Sequence, residues 1–238
     1  MMDPDDFYIG YETGMTPAIR RAVVRAVVVA ALAAILAAAL FVGSERPLAD
    51  SRFEFGAVHR FEGYLSLQPA PVLLVVDREG WRPHWLVARG KFGAAAALGD
   101  ARPGWVTLSG TLVERDSWRM IEVLEGTVHP SGSTRPAPEP APAPVRREVL
   151  RGEIVDGKCY LGVMNPGERT VHRDCAVRCL AGGVPAMFAY RDKTGSHLAL
   201  LLGADAQLRQ DHVGRPVALS GSLSGPEEAL VFAVGGAH

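Results

Sequence analysis

The sequence predicts a mainly β protein: an N-terminal transmembrane helix followed by two small OB-like (Greek-key) β-barrel domains. Three features support this prediction: a charge-free apolar run, a strand phrase that occurs twice, and a Pro-rich segment between the two copies. The predicted organisation is a cytoplasmic tail (1–22), a transmembrane helix (23–44), a first OB-like domain (51–129), a Pro-rich linker (130–147) and a second OB-like domain (148–236) carrying a Cys/His insertion (157–184).

The apolar run at 26–44 contains no charged residue and is long enough to span a hydrocarbon core of about 30 Å. Arg20, Arg21 and Arg25 precede it, and positive charge on that side predicts a cytoplasmic N-terminus. Residues 45 onward would then lie on the periplasmic face of a bacterial inner membrane. A cleaved signal peptide, a twin-arginine signal and a buried soluble helix stay open as alternatives.

Composition narrows the class of partner. The formal net charge is −1, so there is no electrostatic case for nucleic acid as a partner. The abundance of Arg, Ala, Gly and Pro is typical of a high-GC bacterial genome.

One strand phrase occurs twice. GWVTLSGTL (104–112) alternates so that Val106 and Leu108 share one face, and GRPVALSGSL (214–223) repeats this with Val217 and Leu219. Matching segments flank both phrases, which gives about five strands per copy, with a short helix or loop between the third and fourth. That pattern is typical of an OB-fold.

The two copies differ in length between their first and second strands. Gly63 and Asp77 are 14 positions apart, whereas their counterparts Gly152 and Asp192 are 40 apart, so the second copy carries about 26 extra residues. In OB-folds the loop after the first strand contacts ligands. The first copy is therefore predicted to be a structural spacer and the second to carry the functional loop.

The insertion holds all three cysteines and one histidine. In a helix, His172, Cys175 and Cys179 would line one face, and together with Cys159 they could bind zinc or copper. Alternatively, a disulfide from Cys159 to Cys175 or Cys179 would leave one spare thiol. Buried reduced thiols or dithiol redox chemistry is a third hypothesis, and the sequence leaves all three open.

Flanking residues complete the predicted loop. Thr170 could cap a helix over roughly 171–181, which Gly182 and the following glycine would end. Two acidic residues near Cys159, Asp156 and Glu153, could orient His172 or Lys158.

The run GEIVDGKCYLGVMNPGERTVHRDCAVRCLAGGVP (152–185) resembles a pattern in uncharacterised bacterial single-pass membrane proteins with a β-rich outer region. The resemblance covers about 7–235 and implies that Cys159, His172, Cys175 and Cys179 belong to one motif. It implies no activity.

The sequence shows no Ser-His-Asp arrangement, phosphate loop or paired carboxylates, and we identify no catalytic or cofactor-binding residue beyond the metal candidates. It favours a non-enzymatic accessory subunit that presents the Cys/His loop to a metal or to a membrane oxidoreductase partner. The alternative is a thiol or metal redox protein that acts directly in electron or metal transfer.

Overall fold

The computed structural model describes residues 14–44, 50–78, 80–138 and 143–235. The chain divides into two compact units, Met1–Leu48 and Ala49–His238, and both barrels lie in the second. Four parts of the predicted organisation lie outside the described residues: 1–13 of the tail, 79 of the first domain, 139–142 of the linker and 236 at the end of the second domain. The predicted domain boundaries stay a prediction.

The N-terminal unit contains helix α1 (Pro17–Ser44). Proline is pre-organised for a first helical position, and the Thr16 side chain accepts a hydrogen bond from the Ile19 N–H at 3.5 Å, as an N-cap does. Its 28 residues extend about 42 Å, and none is buried. The predicted apolar helix is confirmed and begins before residue 23; it has the length and composition of a membrane anchor or a secretion signal.

The second unit begins with the first barrel. Its strands are β1 (Ser51–Phe53), β2 (His59–Ser66), β3 (Val72–Asp77), β4 (Gly80–Val87), β5 (Gly104–Arg115), β6 (Trp118–Val123) and β7 (His129–Pro130), with helix α2 (Ala95–Leu98) between β4 and β5. The sheet runs β5-β2-β3-β4-β6 and closes through β5–β6 pairing, while β1 and β7 add to β5. Within the closed ring, β4 and β6 are parallel and the other pairs antiparallel.

The second barrel repeats this order. Its elements are β8 (Arg146–Asp156), a π-helical turn (Cys159–Val163), helix α3 (Arg169–Ala181), β9 (Ala186–Asp192), β10 (Gly195–Leu202), helix α4 (Ala206–His212), β11 (Pro216–Ser224), a 3-10 turn (Glu227–Ala229) and β12 (Val231–Val234). The closed sheet is β10-β12-β11-β8-β9, again with the third and fifth strands parallel. The predicted fold class is confirmed: a long apolar helix precedes two closed five-stranded OB-like barrels.

Matching glycines explain part of the repeat. Gly63 and Gly152 lie on the first strand of each barrel, and Gly110 and Gly221 on the fourth. A Cβ at any of the four would overlap a carbonyl oxygen of the neighbouring strand. Each barrel closes tightly at these points, and only glycine permits that approach.

The two barrels share buried apolar residues. The first barrel has its own core, which includes Leu65 and Leu108. A second, larger core contains Trp85 and Trp118 of the first barrel, stacked with ring centroids 6.0 Å apart, together with the interior of the second barrel and the insertion. The insertion therefore packs between the barrels.

Candidate metal centre

The end of strand β8 supplies the carboxylate of the site. Asp156 is fully buried, its Oδ1 accepts a hydrogen bond from the Cys159 N–H at 2.9 Å, and its Oδ2 lies 3.0 Å from Nε2 of His172. A buried carboxylate needs such partners to offset its desolvation. The expectation that Asp156 could orient His172 is confirmed.

Helix α3 supplies three more side chains of the site, and Cys159 comes from the π-helical turn that follows β8. His172 and Cys179 are 3 % and 1 % exposed and Cys175 is half-buried, so the predicted face turns inward. The prediction that Thr170 caps the helix is wrong, because Thr170 lies within it. Instead, Glu153 of β8 accepts a hydrogen bond from the first N–H of the helix, at Arg169.

The C-terminal end of α3 follows the prediction. The Gly182 N–H donates to the Arg178 carbonyl at 3.0 Å as the helix ends. This hydrogen bond satisfies a carbonyl that has no partner further along the helix.

Five side chains meet in one buried group, which we call the cluster: Asp156, Cys159, His172, Cys175 and Cys179. Ligand atoms of Cys159, His172 and Cys175 lie within 4.8 Å of one another, and so do those of Asp156, Cys159 and Cys179. Tetrahedral zinc with bonds of about 2.3 Å places its sulfur ligands roughly 3.8 Å apart. Each of the two groups, which share Cys159, could therefore hold a metal ion after a small contraction.

All three cysteines lie in the described residues, and each is a free thiol. The alternative of a disulfide from Cys159 to Cys175 or Cys179 is therefore not the arrangement in this structure. Instead, a hydrogen bond joins the sulfur atoms of Cys159 and Cys179; it raises the pKa of Cys159 and lowers that of Cys179. Burial raises the pKa of Cys159 further. The pair thus favours one thiolate beside one thiol.

The first barrel contributes a cation to the cluster. Lys91 follows β4, and its ammonium Nζ lies 2.7 Å from Sγ of Cys175 and 4.0 Å from Sγ of Cys179. The hydrogen bond to Cys175 raises the pKa of Lys91. This positive charge contributes to lowering the pKa of Cys179. The first copy, which the sequence predicts to be a structural spacer, also contacts the cluster, since its loop reaches Cys175, 84 positions along the chain.

Lys158 of the second barrel inserts its ammonium group into the first barrel. Lys158 is 2 % exposed, and its ammonium donates to the carbonyl oxygens of Ala88 and Gly90 at 2.8 Å each and forms an ion pair with Glu122. A buried ammonium is stable only when its donors are matched in this way. The two barrels are thus joined by a buried charge as well as by the shared core.

Backbone contact fixes the loop that carries Lys91, residues 88–93, against the end of α3. The Gly93 N–H donates to the Gly182 carbonyl at 2.9 Å. A Cβ on Gly93 would overlap the Gly183 carbonyl, and one on Gly182 would overlap the Lys91 carbonyl. Glycine at these positions permits backbone-to-backbone packing that any other residue would push apart.

Sequence reasoning missed the roles of Lys91, Lys158 and Glu122. One signal could have found the first two: the chain has three lysines, at positions 91, 158 and 193, and two of them lie beside glycines at this site. No protein-family model matches the chain, and no curated protein or solved structure is significantly similar to it.

Proposed function

We propose that this protein is a membrane-anchored, extracytoplasmic accessory subunit that holds one thiophilic metal ion, zinc or copper, between its two barrels. The ligands would be Cys159, His172, Cys175 and Cys179. The observation that carries the proposal is the grouping of three free cysteines, two of them buried, with a buried histidine that is already held by a buried carboxylate.

The histidine contact supports this ligand set. Metal-binding histidines usually bond a carboxylate or carbonyl through the ring nitrogen that does not bind the metal. The contact from Nε2 of His172 to Asp156 leaves Nδ1 as the ligand atom. Asp156 is then the group that fixes the ring, and the donor set is the three-cysteine, one-histidine set of closed zinc sites.

The balance of charge favours a divalent ion. The three thiolates and the Asp156 carboxylate would carry four negative charges, and a divalent ion together with the Lys91 ammonium, 2.7 Å from Cys175, offsets three of them. Copper(I) would offset one fewer and so leave more negative charge in a largely buried site, which is costly. Zinc is therefore the ion that this arrangement supports best.

Location and role extend the proposal beyond the metal. Helix α1 would anchor the chain in a bacterial inner membrane, with the arginines before residue 26 in the cytoplasm and both barrels outside. A closed metal site of this kind stabilises structure, which supports an accessory role beside a membrane oxidoreductase or metal-handling partner. A reporter fused after His238 should then be active only if it requires folding outside the cytoplasm.

Cobalt titration tests the metal site. The reduced full-length protein in detergent should bind one equivalent of Co²⁺ with a thiolate-to-cobalt absorption band, and zinc should displace it. His172→Gln should weaken binding, because it removes one ligand of four. His84→Gln is the matched control: His84 is also buried, but in the first barrel. Equal affinity in both variants would remove His172 from the ligand set.

Dithiol exchange is the second candidate, favoured by the hydrogen-bonded Cys159–Cys179 pair. The Cys179 thiolate would attack a partner disulfide and release a partner thiolate, and Cys159 would then displace the second partner sulfur, giving a Cys159–Cys179 disulfide and a reduced partner. The burial of both sulfurs favours metal binding instead. Rapid reduction of a small disulfide by the metal-free protein, lost in Cys159→Ser, would support the exchange reaction.

A further inference from the structure

The cluster has one open side. Cys159, His172 and Cys179 are buried, and Asp156 is fully so. Cys175 is the half-buried member, and it is the cysteine that Lys91 contacts most closely. An ion that enters or leaves the cluster would therefore pass Cys175.

Lys91 stands on that side. Its side chain is half-buried and the next residue, Phe92, is 59 % exposed, so the ammonium lies where the cluster meets solvent. The ammonium donates directly to Sγ of Cys175 at 2.7 Å. An incoming cation would meet both a positive charge and a sulfur atom whose lone pair is already engaged.

The backbone around Lys91 cannot open easily, but its side chain can. The 88–93 loop is held by the Gly93–Gly182 hydrogen bond, by glycine packing against Gly182 and Gly183, and by the two carbonyls that bind Lys158. By contrast, the lysine side chain is a flexible four-carbon stem. The moving part of any entrance is therefore the Lys91 side chain.

We propose that Lys91 of the first barrel is the gate of the metal site in the second, so that its side chain must swing away from Cys175 whenever a thiophilic divalent ion enters or leaves. This proposal rests on the metal-binding function proposed above. It gives the first barrel a regulatory role: it sets the rate of metal exchange. A gate affects passage in both directions, whereas a fixed charge would affect uptake and release in opposite senses.

Exchange kinetics test the gate. Cd²⁺, whose thiolate complexes absorb in the near ultraviolet, is added to the metal-free full-length protein in detergent, and release is followed with an uncharged chelator. Lys91→Met keeps the stem and removes the charge, so it should speed both uptake and release by about tenfold. Lys91→Arg should keep both slow. Lys193→Met, a surface lysine in the β9–β10 turn, is the control and should match the original protein.

The two explanations differ in whether Lys91→Met releases cadmium faster or slower than the original protein. Loss of a fixed positive charge alone would tighten cadmium binding and slow release, so slower or unchanged release in Lys91→Met overturns the gate while leaving the metal site in place. Failure of the original protein and of both Lys91 variants to bind cadmium overturns the metal site and the gate together. Thermal unfolding of each variant checks that the fold is retained.

Discussion

The two barrels have the same strand order and matching glycines, yet they contribute different parts of one site. The second barrel carries the cysteines, in the insertion between β8 and β9. The first has no such insertion, and its contribution is the 88–93 loop that follows β4, which supplies Lys91 to the cysteines and two carbonyls to Lys158. The site therefore belongs to the pair of copies, and neither copy has all of it.

The cores of the two barrels differ in the same way. The first barrel has a core of its own, whereas the interior of the second is continuous with Trp85, Trp118 and other residues of the first. We therefore expect the second barrel to depend on the first more than the reverse.

The largest effect is expected from breaking the charged contact between the barrels. Lys158→Met removes the buried cation from two carbonyls and from Glu122, which keeps only a 3.9 Å contact with the exposed Arg89. Removal of one partner of a buried ion pair costs about 3–5 kcal/mol. Urea unfolding measures this loss. Lys193→Met, on the surface, should cost about 0.5 kcal/mol or less. A loss for Lys158→Met no larger than for Lys193→Met would mean that the buried contact does not join the barrels.

An acid-sensitive step is expected in the first barrel. His84 and His197 occupy matching strands, but burial lowers the pKa of His84 from 6.5 to about 4. The unfolded chain then binds more protons than the folded chain between these values, so stability is complete above pH 6.5 and falls as the pH drops towards 4. The loss amounts to up to about 3 kcal/mol.

Comparison with one variant isolates that step. The unfolding free energy should fall less steeply between pH 7 and pH 4.5 in His84→Gln than in the original protein, since other titrating groups are common to both. Equal slopes would show that the environment of His84 does not disfavour its charged form.

A smaller effect is expected at the two Asp–His pairs. Asp156–His172 is buried and Asp192–His197 is on the surface of the second barrel, and the carboxylate–imidazole distance is 3.0 Å in both. Asp156→Asn should weaken zinc binding by about 10–100-fold, because the carboxylate orients the ligand. Asp192→Asn should leave it unchanged. Equal zinc affinities in the two variants would separate Asp156 from metal binding.

Periodic features of the fold could be predicted from sequence, and long-range contacts could not. The β5 phrase and its copy in β11 alternate over enough residues to indicate strands, whereas β1 and β7, of three and two residues, are too short to show a period. Comparison of the two copies then located the insertion, because the second copy has more residues between its first and second strands. The helical spacing of His172, Cys175 and Cys179 predicted that they share one face.

The missed parts of the site come from elsewhere in the chain. The partner at the first turn of α3 is Glu153, which lies 16 positions before Arg169 in the chain, and not the expected cap at Thr170. Lys91 reaches Cys175 across 84 positions, and no local pattern encodes such a contact. Lys91 can act on the cysteines only when the two barrels are packed together.

The most direct test is the metal content of the full-length protein, purified from its membrane fraction without a metal-chelating tag and under anaerobic conditions. Elemental analysis with a parallel thiol count is expected to give one zinc per chain, or copper in its place, with all three thiols released only after the metal is removed. His172→Gln purified in parallel should contain less metal, and His84→Gln the full amount. A metal-free protein in which peptide mapping links Cys159 to Cys175 or Cys179 would contradict the metal site.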